Sequence, residues 1–272
     1  MNEQTALWNG TAGHAWVDTQ EVLDGMFKPM QDLLVEEVPA SSATQVLDVG
    51  CGTGSTTLAF ARRLGGKGRC TGVDISEPML AAARARAERE GIPADFIQAD
   101  AQRHAFEPAS FDLILSRFGV MFFEDPVQAF ANLRRAAKAG ARLRLIAWRS
   151  PADNPFMTTA ERAAAPFLKL PARQPDAPGQ FGFADPRRVH RILEESGWAD
   201  IDLQPVDFTC TLPEKELVRY LTRFGPLGRF LHEVDAHARA HVIETVRAAF
   251  EPFVHGAEVR FTAGCWMTSA RV

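Results

Sequence analysis

The stretch VLDVGCGTGSTTLAF, Val46 to Phe60, places Gly50, Gly52 and Gly54 within five positions, between an apolar run and residues able to open a helix. Glycines spaced this way let a backbone pass close beneath a ligand, because no Cβ stands in the way. Spacing separates the nucleotide-binding turns that use this device. A phosphate cradle of the form G-x-x-x-x-G-K-[ST] needs a lysine for the β and γ phosphates, and this stretch has none. A dinucleotide turn needs G-x-G-x-x-G, its third glycine admitting close helix packing, and Ser55 stands at that place here. The pattern is G-x-G-x-G, a bare turn without a charged cradle. Asp74 ends the next apolar run. An acid about twenty residues beyond such a turn reaches a ribose diol when its strand is a neighbour in a parallel sheet.

Other residues suggest the second half of a reaction. Phe118, Met121, Phe122 and Phe123 follow an apolar run ending at Ser116, while Trp8 and Trp16 flank NGTAGHA near the N-terminus. The phenylalanine cluster reads equally as core packing and as a low-dielectric wall for a bound ligand; the two tryptophans read as part of such a wall. Arg117 serves a surface ion pair or orients an acidic or carbonyl-bearing acceptor. His14 becomes a base only if its segment folds over the site. The one tyrosine, Tyr220, lies far along the chain from these residues. In HEVDAHARAH, Glu233, His237 and His241 share a helix face, but His232 lies off it and the spacing is not H-E-x-x-H, so a solvated face is the reading and no metal site is expected. Cys51, Cys70, Cys210 and Cys265 form no C-x-x-C pair and read as free thiols.

The elements that must position these residues alternate between short aliphatic runs and helical stretches from Val46 to Trp148, the pattern of a parallel sheet covered on both faces. The expected strands are QVLDV, RCTGVDI, ADFIQAD, FDLILS and RLRLIAW. Helices are expected over Ser55–Leu64, Ser76–Glu90 and about Asp125–Ala139, each closed by glycine, the third by Gly140. Ahead of them, apolar residues at helical spacing interrupted by Pro29 predict a bent capping helix. Arg149 to Pro186 holds seven of the 17 prolines and predicts an irregular excursion with a short helix around Pro155–Phe167. A helix capped by Asp185 follows, then an extended run, a helical section over about 214–254 and a last alternating strand. The expected organisation is a cap over 1–40, a cofactor-binding core over 41–150, a proline-rich loop or lid over 151–185 and the remainder of the core over 186–272 with its helical insertion.

The tight glycine spacing after LDVG resembles the first motif of the class I S-adenosylmethionine-dependent methyltransferases, and further motifs follow in order. GVDIS resembles the second, whose acid accepts from both ribose hydroxyls; IQADAQ resembles the third; FDLILSRFGVMFF resembles the fourth; NLRRAAKAGARLRLIAW resembles the helix and strand beyond. Within the family the likeness is to the small-molecule group that includes the ubiquinone and menaquinone methyltransferases. It covers Val46 to Trp148 well and the two ends poorly. The resemblance implies a Rossmann-like, doubly wound α/β fold with a mostly parallel sheet, carrying the N-terminal helical cap and the C-terminal helical insertion. It implies S-adenosylmethionine as cofactor and S-adenosylhomocysteine as product. Asp48, Gly50, Gly52, Gly54, Ile75, Met79 and Ser116 are then expected at the cofactor, with Asp74 on the ribose, Asp100 on the adenine amino group and the Ala101 N–H beside it. Trp8, Trp16, Arg117, Phe118 and Phe122 are expected at the acceptor.

Composition bounds the partners. A 272-residue chain that is 46% hydrophobic and 24% charged can bury a large core, and a net charge of -4 disfavours a nucleic-acid partner. The N-terminus has no signal-like pattern and no run is apolar enough to span a bilayer, so a cytoplasmic protein is expected. The fourth motif lacks the N-P-P-Y or D-P-P-Y of many amino methyltransferases, which points away from adenine or glutamine methylation. The expectation is methyl transfer to a small aromatic or quinone-like acceptor. A nicotinamide-dependent oxidoreductase and a non-catalytic methyl-donor-binding regulator are the alternatives. The C-terminal helical section either encloses the acceptor or forms the face of a homodimer.

Overall fold

In the computed structural model, which describes residues 3–174 and 176–272, the apolar runs around the glycine turn become the centre of one sheet. Its strands are β1 (Gln45–Val49), β2 (Arg69–Asp74), β3 (Asp95–Gln98), β4 (Phe111–Arg117), β5 (Ala137–Trp148), β6 (Ala199–Pro213), β7 (Val254–His255) and β8 (Glu258–Arg271). They lie in the order β3-β2-β1-β4-β5-β8-β6, with β7 paired to β8. The first five are parallel, and β8 runs antiparallel between β5 and β6. This is a Rossmann-like, mostly parallel α/β sheet. Val46, Leu47, Leu113, Ile114 and Leu115 are fully buried, as a parallel strand covered on both faces requires.

Before the sheet come α1 (Glu3–Asn9), α2 (Thr11–Asp18), α3 (Gln20–Met26) and α4 (Lys28–Val35); α5 (Ser55–Leu64), α6 (Glu77–Glu90) and α7 (Pro126–Ala136) connect the parallel strands. Beyond β5 lie α8 (Pro155–Ala164) and α9 (Pro186–Glu195), and between β6 and β7 lie α10 (Leu217–Arg223), α11 (Gly225–Phe230) and α12 (Ala236–Ala249). One start signal recurs at three helices. Ser76, Asp125 and Asp185 each accept a backbone N–H from the first turn, and each is followed by proline within the first two helical positions, where a missing N–H costs nothing.

Two features differ from the sequence expectation, and a third goes beyond it. The stretch around NGTAGHA is helical, as α1 and α2, because tertiary contacts fasten it. Ser76 Oγ donates to the Trp8 carbonyl (2.6 Å), and Asn9 bonds both the Ile75 carbonyl and the Glu77 N–H (3.0 Å each). The capping helix divides at Phe27, with Pro29 inside the first turn of α4. The third connecting helix stops at Ala136, not near Ala139, and β5 begins at once. Gly140 does not close a helix; at φ +74° it lies where the β4–β5 register jumps from Phe111–Ala137 to Leu113–Arg142.

The strand order reverses between β1 and β4, and there two loops touch backbone to backbone. A Cβ on Gly50 would fall 2.6 Å from the Gly119 Cα, and Gly50 has φ +70°. Ser116 straps the two strands, its hydroxyl donating to the Val49 carbonyl (2.7 Å) and accepting the Gly119 N–H (3.1 Å). Elsewhere, Phe156 of α8 stacks on Phe261 of β8 at 3.8 Å and meets Phe250 edge-on, which seats the helical insertion on the sheet. Among the described residues no helix is long and apolar enough to cross a membrane.

Gly50→Ala is expected to destabilise the fold by about 2–4 kcal/mol, from backbone strain plus the clash with Gly119. Gly66 has φ +77° but open space at its Cβ position, so Gly66→Ala should cost about 1 kcal/mol. Chemical denaturation of both variants checks the difference; equal losses would mean that the close approach carries no weight.

Candidate active site

A cavity of about 900 Å³ lies over the carboxyl ends of β1, β2 and β4. Of the residues expected at a cofactor, Gly50, Gly52, Asp74, Ile75, Met79, Asp100 and Ala101 line it. The Asp74 carboxylate is held by backbone donors: one oxygen accepts the Gly52 N–H (2.8 Å), the other the Ser76 N–H (2.9 Å). Each oxygen keeps a further lone pair for a ligand. Burial pushes this carboxyl upward, and those backbone N–H groups oppose the shift. The Ala101 carbonyl accepts from Asn132 Nδ2 (2.9 Å). No described residue accepts the Ala101 N–H, although Ala101 is only 7% exposed. One Asp100 oxygen accepts the Gln102 N–H (3.0 Å), which orients the carboxylate at the same end of the cavity.

Asp48, Gly54 and Ser116, also expected at the cofactor, do not line the cavity. Asp48 is 1% exposed and accepts the Thr57 hydroxyl of α5 (2.7 Å). Gly54 begins α5 against Ala83 and Phe96, and Ser116 is the strap described above. All three lie behind the turn and hold it in place. His14 is exposed on α2, away from the cavity. Glu233, His237 and His241 join no group of three metal-ligating side chains among the described residues.

Trp8, Trp16, Arg117, Phe118 and Phe122, expected at an acceptor, all line the cavity. Phe118 stacks on Trp148 (4.4 Å, 4° between planes), and Phe27 meets both edge-on at 5.3 and 6.0 Å. Trp16 lies against Phe27 (6.4 Å), and Trp8 packs edge-on to Phe122 (5.0 Å). Phe118 sits at φ +65°, a strained conformation for a bulky residue. It is held there by its N–H on the Ile146 carbonyl (2.9 Å) and by the stack on Trp148.

Sequence reasoning missed Phe27, Trp148, Phe156, Tyr220 and Phe224, which complete the wall. No short-range signal marks them, since each reads locally as a core residue. Tyr220, remote in sequence, comes in with α10; among the described residues its hydroxyl meets only Met157 Sδ (3.5 Å), and burial pushes its phenol far up. Residues 171–174 and 176–182 of the proline-rich excursion also line the cavity, tied down by the Gly179 N–H on the Met121 carbonyl (3.0 Å).

Comparison with known proteins finds a domain family and similar folds. A family model described as a methyltransferase domain matches residues 46–140. A demethylmenaquinone methyltransferase of Thermus thermophilus is 34% identical over 125 residues, 46% of this chain and 54% of that protein. An aklanonic acid methyltransferase of a Streptomyces species is 33% identical over 126 residues, 46% of this chain and 56% of that one. The chain thus spans about half the length of the curated relatives it matches. In fold, it is similar to the YcgJ protein of Bacillus subtilis (TM-score 0.59, 17% identity, 89% of this chain and 97% of that one). It is also similar to the [4+2]-cyclase SpnF (TM-score 0.55, 18% identity, 89% of this chain and 79% of that one).

Behind the turn, burial lifts the Asp48 carboxyl to about 6, with the Thr57 hydroxyl and the Arg117 charge opposing. The folded state therefore binds a proton that the unfolded chain releases nearer pH 4. Stability contributed by this group is greatest below that pH and falls as pH rises through about 6. Asp48→Asn keeps an oxygen for Thr57 and removes the titration. The variant should match the wild type near pH 4 and exceed it above pH 6.5 by on the order of 2 kcal/mol. Denaturation series of both proteins across this range test the assignment, and a gap independent of pH would contradict it.

Proposed function

We propose that this chain is a class I S-adenosylmethionine-dependent methyltransferase, a reading supported by the methyltransferase-domain match at residues 46–140, and that it methylates a flat, apolar-ringed small molecule of aromatic or quinone-like type. S-adenosylhomocysteine is the product released. The observation that carries the reading is a single enclosure with two unlike ends. One end is a glycine floor with open lone pairs on Asp74 and an open N–H on Ala101; the other is an aromatic wall.

The residues at the first end fit the cofactor. Gly50 and Gly52 offer backbone where side chains would fill the floor. The Asp74 carboxylate accepts ribose hydroxyls with the lone pairs its backbone donors leave free. The Ala101 N–H and the Asp100 carboxylate meet the edge of adenine, while Ile75 and Met79 flank it with apolar surface. When bound, S-adenosylmethionine supplies a methyl group made electrophilic by its sulfonium. Phe118, Trp148 and Phe27 keep water away and hold a ring in one orientation for an in-line displacement, in which orientation alone supplies much of the acceleration. The acceptor class also draws support from the names of relatives that act on demethylmenaquinone and aklanonic acid.

In this reading α10 and α11, which reach the cavity, serve to enclose the acceptor. A cytoplasmic setting belongs to the same proposal and is consistent with Cys51, Cys70, Cys210 and Cys265 being free and buried.

Titration calorimetry on ligand-stripped protein is expected to show S-adenosylhomocysteine binding, weakened about tenfold or more in Asp74→Ala, whose melting should still be cooperative. Absence of heat with both the donor and its demethylated product would overturn the reading. Binding of NADH in their place would favour an oxidoreductase.

A further inference from the structure

Arg117 stands at the end of β4, between the Ser116 strap and the strained Phe118, and lines the cavity. Its guanidinium is half-buried and forms one hydrogen bond, from Nη1 to the Phe27 carbonyl (3.2 Å). No ion pair with a carboxylate involves it among the described residues. The nearest negative charges, Asp24 and Asp48, are engaged elsewhere, Asp24 with Arg86 and Asp48 with Thr57. Among the described residues the Arg117 Nε and Nη2 have no partner, yet they are not among the buried unsatisfied atoms, so they open onto accessible space. Other arginines at the cavity differ: Arg173 is paired with Glu161, Arg223 with Asp18 (3.1 Å), and Arg229 is exposed at the lip.

A guanidinium drawn out of water without a carboxylate is unfavourable unless something else compensates it. Burial pulls this one below its ordinary basicity, and Asp24 and Asp48 offset only part of that. Beside it stand Phe27, with its ring 5.8 Å from the guanidinium carbon, and the stacked Phe118 and Trp148. A flat apolar wall next to two open N–H-bearing nitrogens is complementary to one class of molecule, an aromatic ring carrying an anionic oxygen.

We propose that Arg117 is the anion-recognition residue of the acceptor site, and that the acceptor binds as an aromatic anion whose carboxylate, phenolate or enolate oxygen sits on Nε and Nη2. The inference rests on the methyl-transfer reading and deepens it. It also accounts for an acceptor end where neither His14, outside the cavity, nor Tyr220, its phenol pushed up by burial, is placed to take a proton. An acceptor that arrives ionised needs no base.

The test uses the full chain saturated with S-adenosylhomocysteine at pH 7.5, titrated with matched acid and amide pairs: benzoate and benzamide, 1-naphthoate and 1-naphthamide, 2-naphthoate and 2-naphthamide. At least one acid should bind about tenfold or more tighter than its amide. Arg117→Gln should bring that ratio near one while leaving amide and S-adenosylhomocysteine affinities within about threefold, and Arg117→Lys should keep part of the preference. A merely structural Arg117, fastening Phe27, would instead lower the melting temperature and weaken acid and amide alike, which would overturn the proposal. So would a panel in which no acid is preferred, or a preference that survives in Arg117→Gln. Failure of S-adenosylhomocysteine to bind at the outset would instead strike the methyl-transfer reading itself.

Discussion

The turn after β1 meets the turn after β4 at Gly50 and Gly119, backbone against backbone with no side chain between them. Both loops leave the sheet at the point where strand order reverses, so their separation sets the width of the crevice above. Ser116 fixes that separation with two hydrogen bonds. Asp48 and Thr57 anchor the turn from behind, and Asp74 ties its middle to β2 through the Gly52 N–H. The glycine floor is thereby rigid before any ligand arrives, which reduces the ordering that binding would otherwise demand.

On this floor the cavity is polar at one end and aromatic at the other, and the two ends have different origins. The polar end belongs to consecutive strand–turn–helix units of the parallel sheet. The aromatic end is assembled from α1, α2, Phe27, the loop after β4, the end of β5, α8 and the insertion before β7. Such an end can change without disturbing the sheet, which is why a shared fold does not settle the reaction. The cyclase SpnF, named for a [4+2] reaction, has a similar fold.

Charge follows the same division. At the glycine-turn end Asp74 is surrounded by backbone donors that support its ionised form against burial. At the aromatic end, among the described residues, Arg117 has a single carbonyl partner and no carboxylate. A carboxylate partly satisfied by backbone donors and a guanidinium with one carbonyl partner make unequal demands on ligands. The first selects geometry, and the second asks for an opposite charge.

What the sequence determined by itself was whatever local chemistry decides. Aliphatic runs marked β1 to β5, while Ser76, Asp125 and Asp185 with their following prolines marked three helix starts, since caps and strand patterning act over a few residues. The glycine turn and the acid ending β2 were legible for the same reason, whereas Asp100 was named only through the resemblance. Only the tertiary structure decided that NGTAGHA would be helical, through bonds from Trp8 and Asn9 to residues at the head of α6. It also decided where α7 gives way to β5, because the ladder to β4 outcompetes continued helix after Ala136. Asp48, Gly54 and Ser116 bear motif positions yet lie behind the cavity, and Phe27 and Tyr220 bear none yet line it. Which way a strand or loop side chain points depends on neighbours far away in the chain, and no local pattern of residue types encodes that.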